Sequence, residues 1–327
     1  MKVLVPYSDE LVKTMQDGLG SECVVVQSTR DIDSMIQNGG DAAVIASTRV
    51  PGEYIRANKN LRLIQTFGAG VNGIDRDAVL ERNDVMVSNM HVNASEVAEY
   101  AIALLFTAAK NLVLNDKLMR KGDWSLGWGG PIYNIELRSR TCLIVGLGNV
   151  GTEIARRLRS FGMTLYGVTR SGSSNHSDLV DKMICVEDIL DTVQDADFVI
   201  LSLPLTGSSI GLVDEQFLKK MKPSSILVNI SRGTIVDEDA LFHALKENWI
   251  RGAAIDVWWR YPSSEERDSF YPSSLPFHEL DNLVMSPHRA AYSESIETQQ
   301  IQSVIKNILR FVHGEPLENI VDMELGY

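Results

Sequence analysis

Cysteine is scarce in this chain of 327 residues: Cys23, Cys142 and Cys185 stand far apart, with neither metal-ligand spacing nor an even count for disulfide pairing. That excludes a disulfide-stapled secreted scaffold and predicts no metal site; a reducing cytoplasm suits such thiols. Long apolar runs are missing too. The longest, Val97 to Ala109, includes Glu99 and falls well short of the roughly 20 residues that cross a bilayer, so no membrane partner is expected. Only Val3 to Val5 precede Pro6, Asp9 and Glu10 at the start, too little apolar sequence for a secretory signal. Basic tracts are also absent. Lys and Arg number 31 against 43 Asp and Glu, and the net charge of −12 is spread along the chain, which disfavours nucleic acid as a partner. There is no internal repeat and no low-complexity tract.

What is present is ordinary globular material, 44% apolar and 23% charged, in a chain long enough for about two domains of roughly 150 residues. Short Val-, Ile- and Leu-rich runs recur between helical stretches. They are Lys2 to Val5, Asp41 to Ala46, Leu61 to Phe67 and Val85 to Ser88, then Cys142 to Val145, Thr164 to Val168, Phe198 to Leu203, Ser225 to Ile230, Gly252 to Val257 and Leu283 to Met285. Apolar strands alternating with helices predict α/β architecture, with parallel sheets covered on both faces. A helix from Ser95 to about Lys110 separates the two groups of strands, and another, Ser295 to Val312, follows the last strand. Tyr261 to His278, with Pro262, Pro272 and Pro276, reads as an irregular surface excursion.

Thr141 to Val145 runs directly into Gly146-Leu147-Gly148-Asn149-Val150-Gly151 and then a helix with Ile154, Ala155, Leu158 and Phe161 on one face. Glycines permit a tight turn and close backbone approach, and the helix start offers amides and partial positive charge to a pyrophosphate. A GxGxxG alone marks little more than a turn; here strand, turn, helix and second strand come in the order of a dinucleotide site. At the end of the second strand, where an acidic residue would accept the ribose hydroxyls, stand Thr169, Arg170 and Ser171. An Arg with two hydroxyls suits a 2′-phosphate, which favours NADP over NAD. Stacking of Arg170 on adenine with NAD bound is the competing reading.

Three later strand ends carry polar groups: Asn229 to Gly233, Ala254 to Val257 and Met285 to His288. In open parallel sheets such ends face the ligand crevice. Along nearly its whole length the chain resembles the D-isomer-specific 2-hydroxyacid dehydrogenase family. The resemblance rests on Phe67 to Asp75, Asn93 to Glu99, Gly146 to Gly151, Leu203-Pro204-Leu205-Thr206, Asn229 to Gly233 and Ser286-Pro287-His288. It implies a Rossmann-type doubly wound parallel sheet, residues 93–290, and a smaller flavodoxin-like α/β substrate domain built from residues 1–92 and 291–327. It further implies catalytic Arg232 and His288, with Arg232 gripping a 2-oxo acid and His288 exchanging a proton with it. Ala69, Gly70 and Val71 would hold the substrate carboxylate. Gly146, Gly148, Asn149, Val150, Gly151, Pro204, Thr206, Ile230 and Asp256 would line the cofactor, Asp256 orienting the carboxamide. The substrate implied is glyoxylate- or hydroxypyruvate-like.

One departure stands out. Where the family has a Glu before a Pro to pair with the catalytic His, this chain has Tyr261-Pro262. A phenol can orient an imidazole by a hydrogen bond but favours its protonated form less than a carboxylate, so His288 is expected to titrate lower. Glu265 and Glu266 read as a solvated pair, and Trp258 and Trp259 as either an aromatic wall or plain packing. Without the carboxylate, proton-free hydride transfer as in the related formate dehydrogenases, or a nucleotide sensor with little turnover, are alternative readings. Ser95 reads as a helix N-cap. By resemblance, Asn111 to Gly130 with Trp124 and Trp128 forms a dimer arm, and a homodimer is expected.

Overall fold

The computed structural model describes all residues, Met1–Tyr327, as two compact units: Met1–Val92 with Ser293–Tyr327, and Asn93–Tyr292. The first unit holds strands β1 (Lys2–Val5), β2 (Val24–Gln27), β3 (Val44–Ala46), β4 (Leu63–Gln65) and β5 (Met86–Ser88). All pair in parallel in the order β2-β1-β3-β4-β5, the flavodoxin-like arrangement. Alternate side chains feed two cores. Leu4, Ile45, Ile64 and Val87 pack on one face; Val3, Val5, Val44, Ala46 and Leu63 pack on the other with Val304 and Ile308 of the helix Ile296–His313. Burial on both faces is why these strands read as continuous apolar runs. Asn307, on that helix and itself buried, donates to Gln65 Oε1 and Ser88 Oγ, both at 2.7 Å, and so ties the end of the chain into the sheet.

The second unit holds β6 (Thr141–Val145), β7 (Thr164–Thr169), β8 (Lys182–Cys185), β9 (Phe198–Leu201), β10 (Ile226–Asn229), β11 (Gly252–Ile255) and β12 (Leu283–Met285). The order is β12-β11-β10-β9-β6-β7-β8, all parallel, a doubly wound Rossmann-type sheet whose order reverses between β6 and β9. Cys142, Ile144, Phe198, Ile200, Ile226 and Val228 face the helix Ala94–Ala109, which buries Ala98, Ala101, Leu104 and Leu105 against them. No single helix is long and apolar enough to cross a membrane.

The rhythm of apolar runs misses β2 and β8, one edge strand of each sheet, and finds the opposite edges, β5 and β12. An edge strand is half solvated, and β8 (Lys-Met-Ile-Cys) buries only Ile184, so no unbroken buried run marks it. The helix predicted from Ser95 begins instead at Ala94 with Asn93 as its cap residue, and Ser95 Oγ accepts from Arg157 Nη2 at 2.7 Å rather than capping the helix.

Candidate active site

At the switch point of the second sheet, β6 runs into Gly146, whose φ of 99° and whose approach to the backbone of Leu203 would place any Cβ 2.8 Å from that chain. Only glycine meets both demands. Asn149, Val150 and Gly151 open the helix Asn149–Leu158, and around Gly148 nothing lies within 4 Å of where a Cβ would be. A cradle that is open just ahead of a helix N-terminus fits a pyrophosphate. Two serines the sequence reading passed over brace it. Ser202 Oγ donates to the Gly146 carbonyl at 2.7 Å. Ser209 Oγ donates to Pro204 O at 2.9 Å and accepts from Thr206 N at 2.8 Å. Ile230, nearly buried, follows β10 and is held to Leu201 O.

The end of β7 turns through Thr169, Arg170 and Ser171. Thr169 Oγ1 donates to Ser173 O at 3.0 Å, and Ser171 and Ser173 hydroxyls meet at 2.9 Å. Cys185 Sγ, at the end of β8, lies 3.0 Å from Arg170 O and 2.6 Å from Glu187 Oε2. The Glu187 carboxylate pushes the Cys185 thiol up from its ordinary value. Glu187 lies on the turn after β8 and meets this loop only through Cys185, which the amino-acid order did not announce.

The polar strand ends are held by different means. After β10, Asn229 Nδ2 donates to Arg232 O and Asn229 Oδ1 accepts from Ser231 N, each at 3.0 Å, so one side chain shapes the turn that presents the guanidinium. A Cβ on Gly233 would lie 2.3 Å from Trp258, so glycine lets the Arg232 turn sit against the loop after β11. Asp256, fully buried after β11, accepts from Ser286 Oγ at 2.5 Å and from the amides of Arg289 and Ala290 at 2.9 Å. Those donors come from the loop that carries His288, whose own φ is 56°. The carboxamide role implied for Asp256 is therefore joined by a larger one, since three of about four acceptor positions of a carboxylate already serve this loop.

Tyr261 lies beside His288 with ring centroids 5.4 Å apart and planes tilted by 48°. The expected hydrogen bond to the imidazole is not made: the phenol oxygen accepts from the backbone N–H of Trp258 at 3.2 Å. That leaves the imidazole without a hydrogen-bonded anionic partner. Burial pushes His288 below its ordinary value; the Asp256 carboxylate opposes this and the Arg232 cation adds to it. Burial also lowers Arg232 and raises Tyr261. The tryptophans are packing residues. Trp258 is buried and donates to Ser286 O at 2.8 Å, and Trp259 stacks on Phe277. Glu266 turns back on Ser263 within its exposed loop.

Ala69, Gly70 and Val71 belong to the other unit, where they follow β4. Asn89 Nδ2 donates to Ala69 O at 2.8 Å and Thr66 Oγ1 to Gly68 O at 2.5 Å, two further braces that the motif did not announce. Within residues 111–133, Trp124 and Trp128 are exposed at 73% and 108%, as is Tyr133.

Residues 102–290 match the family described as D-isomer specific 2-hydroxyacid dehydrogenase, NAD binding domain. With that match over more than half its length, and the glycine turn and three strand ends in place, the chain belongs to the D-isomer-specific 2-hydroxyacid dehydrogenases. It is an NAD(P)-dependent oxidoreductase acting on a small 2-hydroxy or 2-oxo acid. The glyoxylate reductase of Korarchaeum cryptofilum is 31% identical to it, over 93% of this chain and 87% of that one. Among solved structures, an NADPH-dependent glyoxylate/hydroxypyruvate reductase from Sinorhizobium meliloti with NADP and malonate superposes with a TM-score of 0.80 at 26% identity, covering 98% and 97% of the two chains. An acyclic imino acid reductase with NADPH and D-Arg is also similar, with a TM-score of 0.81, 26% identity and coverage of 98% and 100%.

Proposed function

We propose that this chain, as a homodimer, reduces a glyoxylate- or hydroxypyruvate-like 2-oxo acid to its D-2-hydroxy acid with NADPH. The observation that carries the reading is the placement of Arg232 and His288 after β10 and β12, with Asp256 after β11 between them in the same sheet that carries the glycine turn. Gly146 to Gly151, with Pro204, Thr206 and Ile230, would hold the dinucleotide; when bound, its reduced nicotinamide supplies hydride. Arg232, planar and forked, binds the substrate's carboxylate and carbonyl oxygen together and stabilises the negative charge that grows there. Amides of Ala69 to Val71 take the carboxylate. His288 gives its proton to the nascent alkoxide and recovers it in the reverse direction. Arg170 and the hydroxyls of Thr169 and Ser171 favour the 2′-phosphate of NADP. The exposed Trp124 and Trp128, in the stretch Asn111 to Gly130, support a second copy as their cover.

The test is a panel of 2-oxo acids assayed with NADPH and NADH in parallel. Oxo-acid-dependent oxidation of NADPH is expected, and its absence with every acid overturns the reading. A second reading is reduction of 2-imino acids. It is favoured by the phenol of Tyr261 pointing to Trp258 instead of to His288, because a protonated imine brings its own proton and needs none from the imidazole. Adding an amine to the same panel separates the two.

A further inference from the structure

The loop that presents His288 depends on a chain of hydrogen bonds that begins at a half-buried helix residue and ends at a buried carboxylate. Tyr100, on Ala94–Ala109, has its hydroxyl 2.7 Å from Ser286 Oγ. Ser286 owns a single hydroxyl proton, and the carboxylate of Asp256 2.5 Å away can only accept it. The contact with Tyr100 therefore has one possible direction: the phenol donates to Ser286, which donates to Asp256. Asp256 in turn takes the amides of Arg289 and Ala290, the two residues directly after His288. The carbonyl of Ser286 is engaged as well, by Trp258 Nε1 at 2.8 Å. Ser286 and Asp256 are buried, so no water substitutes for a lost donor without a cavity to hold it. His288 meanwhile sits at a φ of 56°, a left-handed conformation that a non-glycine residue keeps only where its surroundings hold it.

We propose that Tyr100 is a positioning residue for His288, acting through Ser286 and Asp256 to fix the backbone that aims the imidazole. The inference rests on the reading of His288 as the proton-exchanging group. It assigns work to a helix residue hydrogen-bonded to Ser286, and it explains why the site keeps its histidine in place without a carboxylate at position 261.

The test uses the full chain with Tyr100→Phe, Ser286→Ala and the double variant. Each single change is expected to lower kcat for 2-oxo acid reduction by roughly tenfold or more, the scale of a small misplacement of a reacting group, with KM within about twofold. Because both act on one chain, the double variant should be no worse than the poorer single one. A wild-type kcat in Tyr100→Phe, or losses that multiply in the double variant, overturns the proposal. Imidazole NMR of the protein without substrate supplies an independent reading. The His288 ring signals should shift or broaden in Tyr100→Phe while those of His243 and His313 stay put. If no oxo acid is turned over even by the unaltered chain, the functional reading fails alone and the NMR result still decides the positioning role: unmoved His288 signals sink it.

Discussion

The turn that carries Arg232 and the loop that carries His288 lie at the ends of strands in one sheet, yet they are built on opposite plans. The first is local: Asn229, three residues before the arginine, supplies both hydrogen bonds that shape it. The second is assembled from a distance, with Asp256 from the neighbouring strand, Tyr100 from a helix and Tyr261 from the loop beyond β11 all converging on it. A locally built turn keeps its geometry when its neighbours change. A remotely built one makes the histidine's chemistry a property of many residues.

The most severe way to break this comparison is at the arginine itself. Arg232→Ala should lower kcat/KM for 2-oxo acids by roughly 10²- to 10³-fold through lost charge stabilisation, and Arg232→Lys should recover little because the fork is lost. Steady-state kinetics of both variants check this. His288→Ala should cost about 10²-fold or more with a 2-oxo acid and far less with a protonated imine, so the ratio between the two substrates in that variant sharpens the choice of reaction.

A gentler probe is Tyr261→Glu. A carboxylate beside the imidazole stabilises its protonated form. In the unaltered chain burial holds His288 low, so reduction, which needs the protonated ring, should fade as pH rises through a value below its ordinary 6.5. Glu at this position should move that fall to higher pH. An unmoved pH-rate profile would show that the new carboxylate does not reach the ring. Smallest of all should be Arg170→Ala, which is expected to raise KM for NADPH by roughly tenfold, the worth of one charge-assisted contact, while KM for NADH stays within a factor of about two.

The same contrast explains what could be read from the amino acids alone. Gly146 to Gly151 and Arg232 announce themselves because each sits in a short run whose chemistry is complete within a few residues; His288 is marked by Ser286-Pro287-His288, but the residues that hold its loop are not. The parallel sheets were legible from apolar runs buried on both faces, whereas β2 buries none of its residues and β8 only Ile184, so that signal fades there. Ser202, Ser209, Asn89 and Tyr100 were invisible, since a serine or tyrosine acquires its role only when a residue far along the chain comes to face it. Ser95 misled for a related reason: its hydroxyl had a better use, across to Arg157, than the helix end beside it.

The helix Ile296–His313 completes one face of a sheet whose strands all lie before residue 89. On a ribosome adding roughly 5 to 20 residues per second, the face with Val3, Val44 and Leu63 has Met15 and Leu19 of the helix Asp9–Leu19 against it but waits on the order of tens of seconds for Val304 and Ile308, while the intervening two hundred or so residues are made. The Rossmann-type unit emerges whole during that interval and is free to fold first. The N-terminal strands thus gain the rest of their cover only once the helix Ile296–His313 is made.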